Sequence, residues 1–161
     1  FHKKFGGWIM DELDKKILTL LQQNSTQPLA DIARKVGLSV TPCWRRVQKL
    51  EEDGIIRGRV ALLDAERLGL GMSVFVAIKI NEHSSEWLKN FAIKISGYDE
   101  VVEFYRMSGE VDYMLRVVVK NMSAYDQFYK KLISDVSLKD VSSSFAMEEI
   151  KYTTSLPINQ L

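Results

Sequence analysis

The chain has 161 residues, a formal net charge of +1, 46% hydrophobic residues and 27% charged residues. This composition is ordinary for a protein with a core, and the length suits one domain or two small ones. The single cysteine, Cys43, excludes an intrachain disulfide and a cysteine zinc site, and no apolar run reaches transmembrane length. We therefore expect a cytoplasmic protein that needs no membrane, metal or cofactor.

The charge is divided unevenly along the chain. Residues 11–62 carry nine basic and seven acidic side chains, whereas residues 63–161 carry a net charge of −3. The sign of this difference suits an N-terminal half that approaches phosphates. Residues 1–9 are too short and broken for a signal peptide. We interpret them as an upstream extension or cloning remnant before a natural start at Met10, and the alternative is a flexible arm that touches DNA or a partner subunit.

Two short helices are predicted at the start of the chain. Asp11 can cap a helix from about Glu12 to Gln23, with its apolar residues on one face. After a polar break, Pro28 opens a second helix that runs to about Val36. Gly37 then ends this helix.

The stretch Leu38–Gly54, LSVTPCWRRVQKLEEDG, predicts a third helix with two faces. Ser39 is the predicted N-cap, Pro42 fits the first turn, and Gly54 can end the helix in a left-handed conformation. At about 100° per residue, one side is apolar and the other carries hydroxyl and basic groups. The apolar side contains Val40, Cys43, Trp44, Val47 and Leu50, and the other side contains Thr41, Arg45, Lys49 and, at its margin, Arg46. This arrangement suits a reader of the DNA major groove, and the alternative is a solvated amphipathic helix.

Two short helices joined by a tight turn that contains glycine predict a helix-turn-helix. We expect residues 55–62 to form a β-hairpin, or wing, in which Arg57 and Arg59 meet the phosphate backbone. A winged helix-turn-helix domain is thus predicted over residues 10–62, and a linker over residues 63–71.

From Met72 the hydrophobic pattern alternates, which is typical of half-buried strands. The predicted order βαββαβ is the ferredoxin-like split arrangement, so we expect an α+β protein with this second domain over residues 72–161. Ser84 or Ser85 is expected to cap its first helix, which ends near Ser96, and Ser123 its second, which ends near Ser134. The predicted strands are Met72–Ile80, Val101–Met107, Tyr113–Val119 and Val141–Glu149. Helices on one side leave the other sheet face partly apolar, which would favour oligomerisation, and its expected members are Phe75, Ala77, Leu115, Val117 and Phe145.

Three motifs occur together in this chain: LSVTPCWRRVQKLEEDGII in the helix-turn-helix, SGEVDYML in the second domain's hairpin and MEEIKYTTSLP near the end. With this combination the chain resembles, from Met10 to Pro157, the Lrp/AsnC family of feast/famine transcriptional regulators. The resemblance implies homodimers that bind double-stranded DNA and assemble into tetramers, octamers or larger rings. It also implies a C-terminal domain that senses a small effector, usually a free amino acid.

For DNA recognition, we expect Arg45 to make a bidentate contact with guanine and Thr41 to contact a base. Ser39, Arg46 and Lys49 are interpreted as phosphate anchors, although a solvated face is the alternative for Arg46 and Lys49. Trp44 and Val47 are expected in the core. Cys43 could suggest redox or metal chemistry, but a lone cysteine on an apolar helix face is more often a small buried hydrophobe.

The resemblance places the effector between dimers, near the hairpin that holds Gly109, Asp112 and Tyr113 and near the last strand at Ser143, Ser144 and Phe145. Met107, like Tyr113, is a further candidate for the lining of this pocket. Asp112 can bind the ammonium group of an amino acid, while backbone N–H groups near Gly109 and the serine hydroxyls can bind its carboxylate. The alternative is that Gly109 only forms a tight turn, that Asp112 only caps it, and that Met107 and Tyr113 fill the core.

Effector identity does not carry over from the family, because Glu110 stands where members often have Asp and the last-strand positions vary with the ligand. The TPCW and SSFAMEEIKYTTSLP segments are most similar to a subgroup that senses cysteine in enteric bacteria. The leading hypothesis is thus a sequence-specific regulator whose oligomeric state or DNA affinity responds to an amino acid, with cysteine as the first choice. The alternative is an architectural, nucleoid-type protein that wraps DNA with little specificity. No catalytic set supports an enzyme.

Overall fold

The computed structural model describes residues 10–81 and 84–160, and the predictions for residues 1–9 lie outside this part. None of the helices in these two ranges combines the length and the apolar character that a membrane span requires. The predicted α+β class is confirmed, with a helical N-terminal unit and a four-stranded antiparallel sheet in the second unit.

The described chain divides into two compact units. The first contains residues 10–61 together with 151–160, and the second contains the described residues of 62–150. The end of the predicted domain 72–161 therefore belongs to the helical unit, where Ile158 packs against the helical core.

The first unit contains three helices, α1 (Glu12–Gln23), α2 (Leu29–Val36) and α3 (Val40–Glu52). Asp11 caps α1 in a capping box, and Gly37 ends α2 with a left-handed φ of 75°. Ser39 occupies the N-cap position of α3, but its side chain makes no capping hydrogen bond. The three apolar stripes meet in one core, whose buried members are Ile17, Leu18, Ile32, Ala33, Val36, Cys43, Val47 and Leu50.

The β-hairpin predicted over residues 55–62 is wrong, because no strand forms there. After Gly54, which has the expected positive φ of 72°, the Ile56 N–H donates to the Leu50 carbonyl at 3.0 Å and the Ile56 side chain packs on the helical core. The chain then continues exposed and without a partner strand in the described residues. An isolated two-stranded hairpin is marginal in water, so sequence alternation alone does not form one.

The second unit has the predicted βαββαβ order. Its sheet contains β1 (Met72–Lys79), β2 (Val101–Arg106), β3 (Tyr113–Val119) and β4 (Asp140–Phe145), in the spatial order β2-β3-β1-β4. Its helices are α4 (Ser85–Ser96) and α5 (Met122–Asp135), whereas the short 3₁₀ helix Ile158–Gln160 near the C-terminus belongs to the first unit. Ser84 caps α4 as expected, but Asn121 rather than Ser123 caps α5. The last strand is shorter than predicted and ends at Phe145.

The strand register corrects the predicted membership of the two sheet faces. Val74 pairs with Val117 and Phe145, and Val76 pairs with Leu115. Paired residues share a face, and Val74, Val76, Leu115 and Val117 are completely buried in the core that contains α4 and α5. Three expected members of the open face, Leu115, Val117 and Phe145, are therefore on the helix side.

The open face is formed by the alternate residues of each strand. Phe75 was predicted correctly and pairs with Arg116 and Ser144, and Ala77 pairs with Met114 and Ser142. A hydrogen-bonded ion pair between Arg116 Nε and Glu103 Oε1, at 2.6 Å, crosses this face. The open face is thus mixed, with apolar side chains around one ion pair.

Candidate nucleic-acid interface and effector region

Most of the surface of helix α3 is exposed. The buried residues of α3 are Cys43, Val47 and Leu50, so the apolar side is narrower than the sequence suggested. Trp44 was expected in the core, but it is 47% exposed because it lies one residue, or about 100°, beyond Cys43 around the helix. Four of the exposed positions of α3 follow one another at helical spacing, and we call them the reading face: Thr41, Trp44, Arg45 and Gln48.

Gln48 is a candidate that the sequence analysis missed. Its signal was its spacing, since it follows Thr41 by seven residues and Arg45 by three. Gln and Arg are the side chains that bind adenine and guanine, respectively, in bidentate fashion. Among the residues that the structure describes, Arg45 is exposed and has no ion-pair partner. Its guanidinium is therefore available to an outside ligand.

Arg46 has a different environment from Arg45. Its Nη1 donates to Asp14 Oδ1 at 2.8 Å and to Asp11 Oδ1 at 2.9 Å, which ties α3 to the start of α1. Burial raises the pKa of Asp11, but hydrogen bonds from the Asp14 amide and from Arg46 outweigh it and hold this pKa below its usual value of 3.8. The same hydrogen bond to Asp14 raises the pKa of Arg46 further. This geometry does not support the predicted phosphate contact of Arg46.

The other predicted phosphate contacts lie at the surface. Lys49 Nζ lies 3.4 Å from Asp53 Oδ2, and Arg59 Nη2 lies 2.8 Å from Glu51 Oε1. Exposed pairs of this kind contribute about 0–1 kcal/mol, so phosphates can replace the carboxylates at little cost. Arg57 and Ser39 are also exposed.

Cys43 is completely buried, and this burial raises the pKa of its thiol. Because the thiolate is the reactive form, the small-hydrophobe interpretation is supported over a redox role. The described residues contain no group of three or more His, Cys, Asp or Glu side chains that could hold a metal ion.

The predicted effector residues around the hairpin divide between turn and core. Gly109 has a φ of 123°, a conformation that side chains rarely adopt. Asp112 closes the end of β1, because its N–H donates to the Ile78 carbonyl at 2.9 Å and its Oδ2 accepts from the Ile80 N–H at 2.8 Å. Tyr113 is buried against Phe91, so it fills the core. Met107 is 42% exposed.

The last-strand serines lie on opposite sheet faces. The Ser143 hydroxyl is hydrogen bonded to the Tyr125 hydroxyl on the helix side, whereas Ser144 pairs with Phe75 on the open face. Successive residues of a strand point to opposite sides. One chain therefore does not bring the six predicted effector residues into a single pocket.

A cleft of about 670 Å³ lies between α5 and β4. Ser143 is one of its lining residues, together with Met122, Ser123, Tyr125, Asp126, Tyr129, Val141 and Phe145. Burial raises the pKa of Tyr125, so its hydroxyl stays protonated at neutral pH and can take part in hydrogen bonds as a donor. No pattern in the sequence predicts this cleft, because α5 and β4 meet only in the folded sheet.

Two family models match the chain. The model described as winged helix-turn-helix DNA-binding matches residues 10–57, and the model of the Lrp/AsnC ligand binding domain matches residues 73–156. The transcriptional activator DecR of Escherichia coli K12 is 54% identical over 151 residues, which cover 93% of this chain and 99% of that protein. The glutamate uptake regulatory protein of Zymomonas mobilis (strain ZM4) is 50% identical, over 92% of this chain and 91% of that protein.

Solved structures agree with these matches. An AsnC family transcriptional regulator from Agrobacterium tumefaciens has a TM-score of 0.92 and 60% identity, over 94% of this chain and 99% of that one. A transcriptional regulator from Neisseria meningitidis, in complex with L-Met, has a TM-score of 0.90 and 36% identity over the same shares. The resemblance noted in the sequence is confirmed. The chain belongs to the Lrp/AsnC family of DNA-binding transcriptional regulators.

Proposed function

We propose that α3 selects the DNA site of this regulator and that a free amino acid changes its assembly or its DNA affinity. The observation that carries the first part is the reading face, on which Arg45 and Gln48 are exposed one turn apart. The protein acts through binding alone, without an enzymatic step, and works in the cytoplasm with the bacterial DNA.

On DNA, Arg45 binds guanine through O6 and N7, and Gln48 binds adenine through N6 and N7. Thr41 contacts a neighbouring base. Ser39, Lys49, Arg57 and Arg59 bind phosphates, which position the protein without specifying sequence. A symmetric dimer would then prefer a pseudo-palindromic site, with half-sites about 34 Å or a multiple of that distance apart.

The DNA assignment is tested with Arg45→Ala, and Arg67→Ala serves as the control because it also removes one exposed arginine. The probe is the duplex that the wild-type protein selects from a random library. We expect Arg45→Ala to lose its preference for this duplex over unrelated DNA, since one good bidentate contact is worth about 1–3 kcal/mol of discrimination. Preserved preference would contradict the assignment, and long periodic protection of unrelated DNA in footprints would favour the architectural alternative.

The amino-acid effector is supported by the ligand-binding family model and by the Neisseria relative with L-Met. Asp112 binds the Ile80 amide through Oδ2, which leaves Oδ1 for an ammonium group. We infer that the exposed hairpin around Met107 and Gly109 completes the site only when two copies meet, because Ser143 and Ser144 face opposite sides within one chain. Cysteine is the first hypothesis for the ligand.

A thermal-shift panel of the twenty amino acids tests this part. A ligand that binds the native state at about 100 times its Kd stabilises it by about 2.7 kcal/mol, so the true effector raises the melting temperature. Asp112→Asn, which retains an acceptor for the Ile80 amide, should abolish the shift, whereas Glu110→Gln in the same loop should keep it. Absence of any shift at millimolar concentrations would contradict amino-acid sensing.

A further inference from the structure

Two adjacent arginines of α3 have opposite environments. Arg45 is exposed, whereas the Arg46 side chain is 28% exposed and lies 2.8 Å from both Asp14 Oδ1 and Asp11 Oδ2. The Asp14 side chain is completely buried. Arg46 therefore binds to an interior carboxylate of α1 as well as to a surface one.

The carboxylates that hold Arg46 are themselves fixed to the backbone. Asp14 Oδ2 accepts from the Asp11 N–H at 2.9 Å, and Asp11 Oδ1 accepts from the N–H groups of Leu13 and Asp14 at 3.0 Å. These bonds are the capping box of α1. Both carboxylates thus have a defined orientation, and so does the guanidinium that binds them.

The remaining buried contacts of α3 have little directional character. Cys43, Val47 and Leu50 bury apolar surface, and this driving force is non-directional. Close packing of these side chains restricts large rotations about the helix axis, whereas smaller rotations depend on directional contacts. The charged hydrogen bonds of Arg46 depend on both distance and angle, so they resist such rotations.

Rotation of α3 matters because the reading face is on the same helix. Arg45 precedes Arg46 by one residue and Gln48 follows it by two, so the direction of Arg46 determines the directions of both. A buried ion pair is also weak evidence for net stability, because desolvation offsets much of the attraction. The ion pair of Arg46 is therefore better explained by a role in orienting α3 than by a contribution to stability.

We propose that Arg46 is a positioning residue whose ion pair with Asp14 and Asp11 fixes the rotation of α3, so that Arg45 and Gln48 meet the bases. The inference rests on the proposed function of α3 as the DNA-reading helix. It replaces the predicted phosphate contact of Arg46 with an internal one.

The decisive variant is the double substitution Asp14→Asn/Arg46→Met. Arg46→Met alone leaves the buried Asp14 charge without its ion-pair partner and can unfold the helical unit, whereas Asn at position 14 removes that charge and retains an acceptor for the Asp11 N–H. Affinity is measured well below the melting temperature, on the duplex selected by the wild-type protein and on unrelated DNA, over a range of salt concentrations. Arg46→Lys, which keeps the charge without the planar fork, is the conservative variant.

We expect the folded double variant to bind the selected duplex at least about ten-fold more weakly, the scale of one lost base contact, and to bind unrelated DNA as before. The slope of log K against log salt should not change. The single variant Arg46→Lys should keep more of the preference for the selected duplex than the double variant does. If the slope falls by about one and both duplexes lose affinity equally, Arg46 is a phosphate anchor. If the folded double variant keeps full preference, the ion pair is only structural.

Arg45→Ala distinguishes a failure of the proposed function of α3 from a failure of the positioning role of Arg46. If that variant keeps its preference for the selected duplex, the proposed function of α3 fails. If Arg45→Ala loses the preference while the folded double variant keeps it, the proposed function stands and only the positioning role of Arg46 is overturned.

Discussion

Single side chains of the helical unit have more than one role. Asp11 begins α1 and also accepts from Arg46 on α3, so one carboxylate serves as both a cap and an ion-pair partner. Trp44 and Gln48, which the helical pattern alone did not assign to DNA, are exposed beside Arg45. Each of these roles depends on whether the side chain contacts a residue of another helix or is exposed to solvent.

The lowered pKa of Asp11 predicts a pH dependence of stability. A carboxyl group whose pKa is lower in the folded than in the unfolded state contributes stability above its unfolded pKa, which is 3.8 for Asp11. This contribution is lost as the pH falls through the folded value. We expect the melting temperature of the helical unit to decrease when the pH is lowered below about 4. The decrease should be less steep in Asp11→Asn, which keeps an N-cap side chain.

Thermal unfolding by circular dichroism from pH 7 to pH 2 measures this effect. Asp31→Asn is the control, because it removes a surface carboxylate that pairs with Arg34 within α2. An acid transition in Asp11→Asn as steep as that of the wild type would contradict the prediction.

At the scale of elements, the C-terminal segment is an integral part of the helical unit. The Leu156 N–H donates to Gln22 Oε1 at 2.7 Å, and Gln22 Nε2 donates to the Leu156 carbonyl at 3.3 Å. Ile158 packs against the core of the three helices. The segment 151–160 has no hydrophobic periodicity that would predict this role. Both hydrogen bonds to the Leu156 backbone come from the side chain of Gln22.

We expect Gln22→Ala to destabilise the helical unit by about 1 kcal/mol, since it removes two partly exposed hydrogen bonds. Its neighbour Gln23 is exposed and serves as the control, and Gln23→Ala should change stability by less than about 0.5 kcal/mol. Urea unfolding followed by helical circular dichroism compares the two. Equal stability of the variants would show that the segment contributes nothing through Gln22.

At the scale of the whole molecule, the open sheet face is a surface of the second unit that α4 and α5 leave uncovered. Phe75 is 41% exposed at its centre, and the ion pair between Arg116 and Glu103 lies beside it. A second copy of this sheet would bury the apolar side chains and keep the ion pair satisfied. We infer that this face contributes to the homo-oligomer of the proposed regulator.

We expect Phe75→Glu to lower the mass of the oligomer, because a second carboxylate beside the Arg116–Glu103 ion pair would bury excess negative charge at the contact. The control is Ile93→Glu, since Ile93 is more exposed, at 64%, but lies on α4 away from the open face. Size-exclusion chromatography with light scattering gives the mass of each. A wild-type mass for Phe75→Glu would place the interface elsewhere.

The sequence by itself determined the elements and the family. Caps and glycines such as Asp11, Gly37 and Gly54 act within one helical turn, and the two- and 3.6-residue periods are local, so α1–α5 and β1–β4 could be predicted. The motifs that carry the family resemblance are also continuous in the chain.

Only the tertiary structure decided which faces these elements present and to what. A one-residue change in register moves a side chain to the other face of a sheet, so Leu115 and Phe145 were assigned to the wrong side. The partners of Arg46 lie more than thirty residues away in sequence. The exposure of Trp44, like the contact of Gln22 with the C-terminal segment, follows from packing between elements, which no local period encodes.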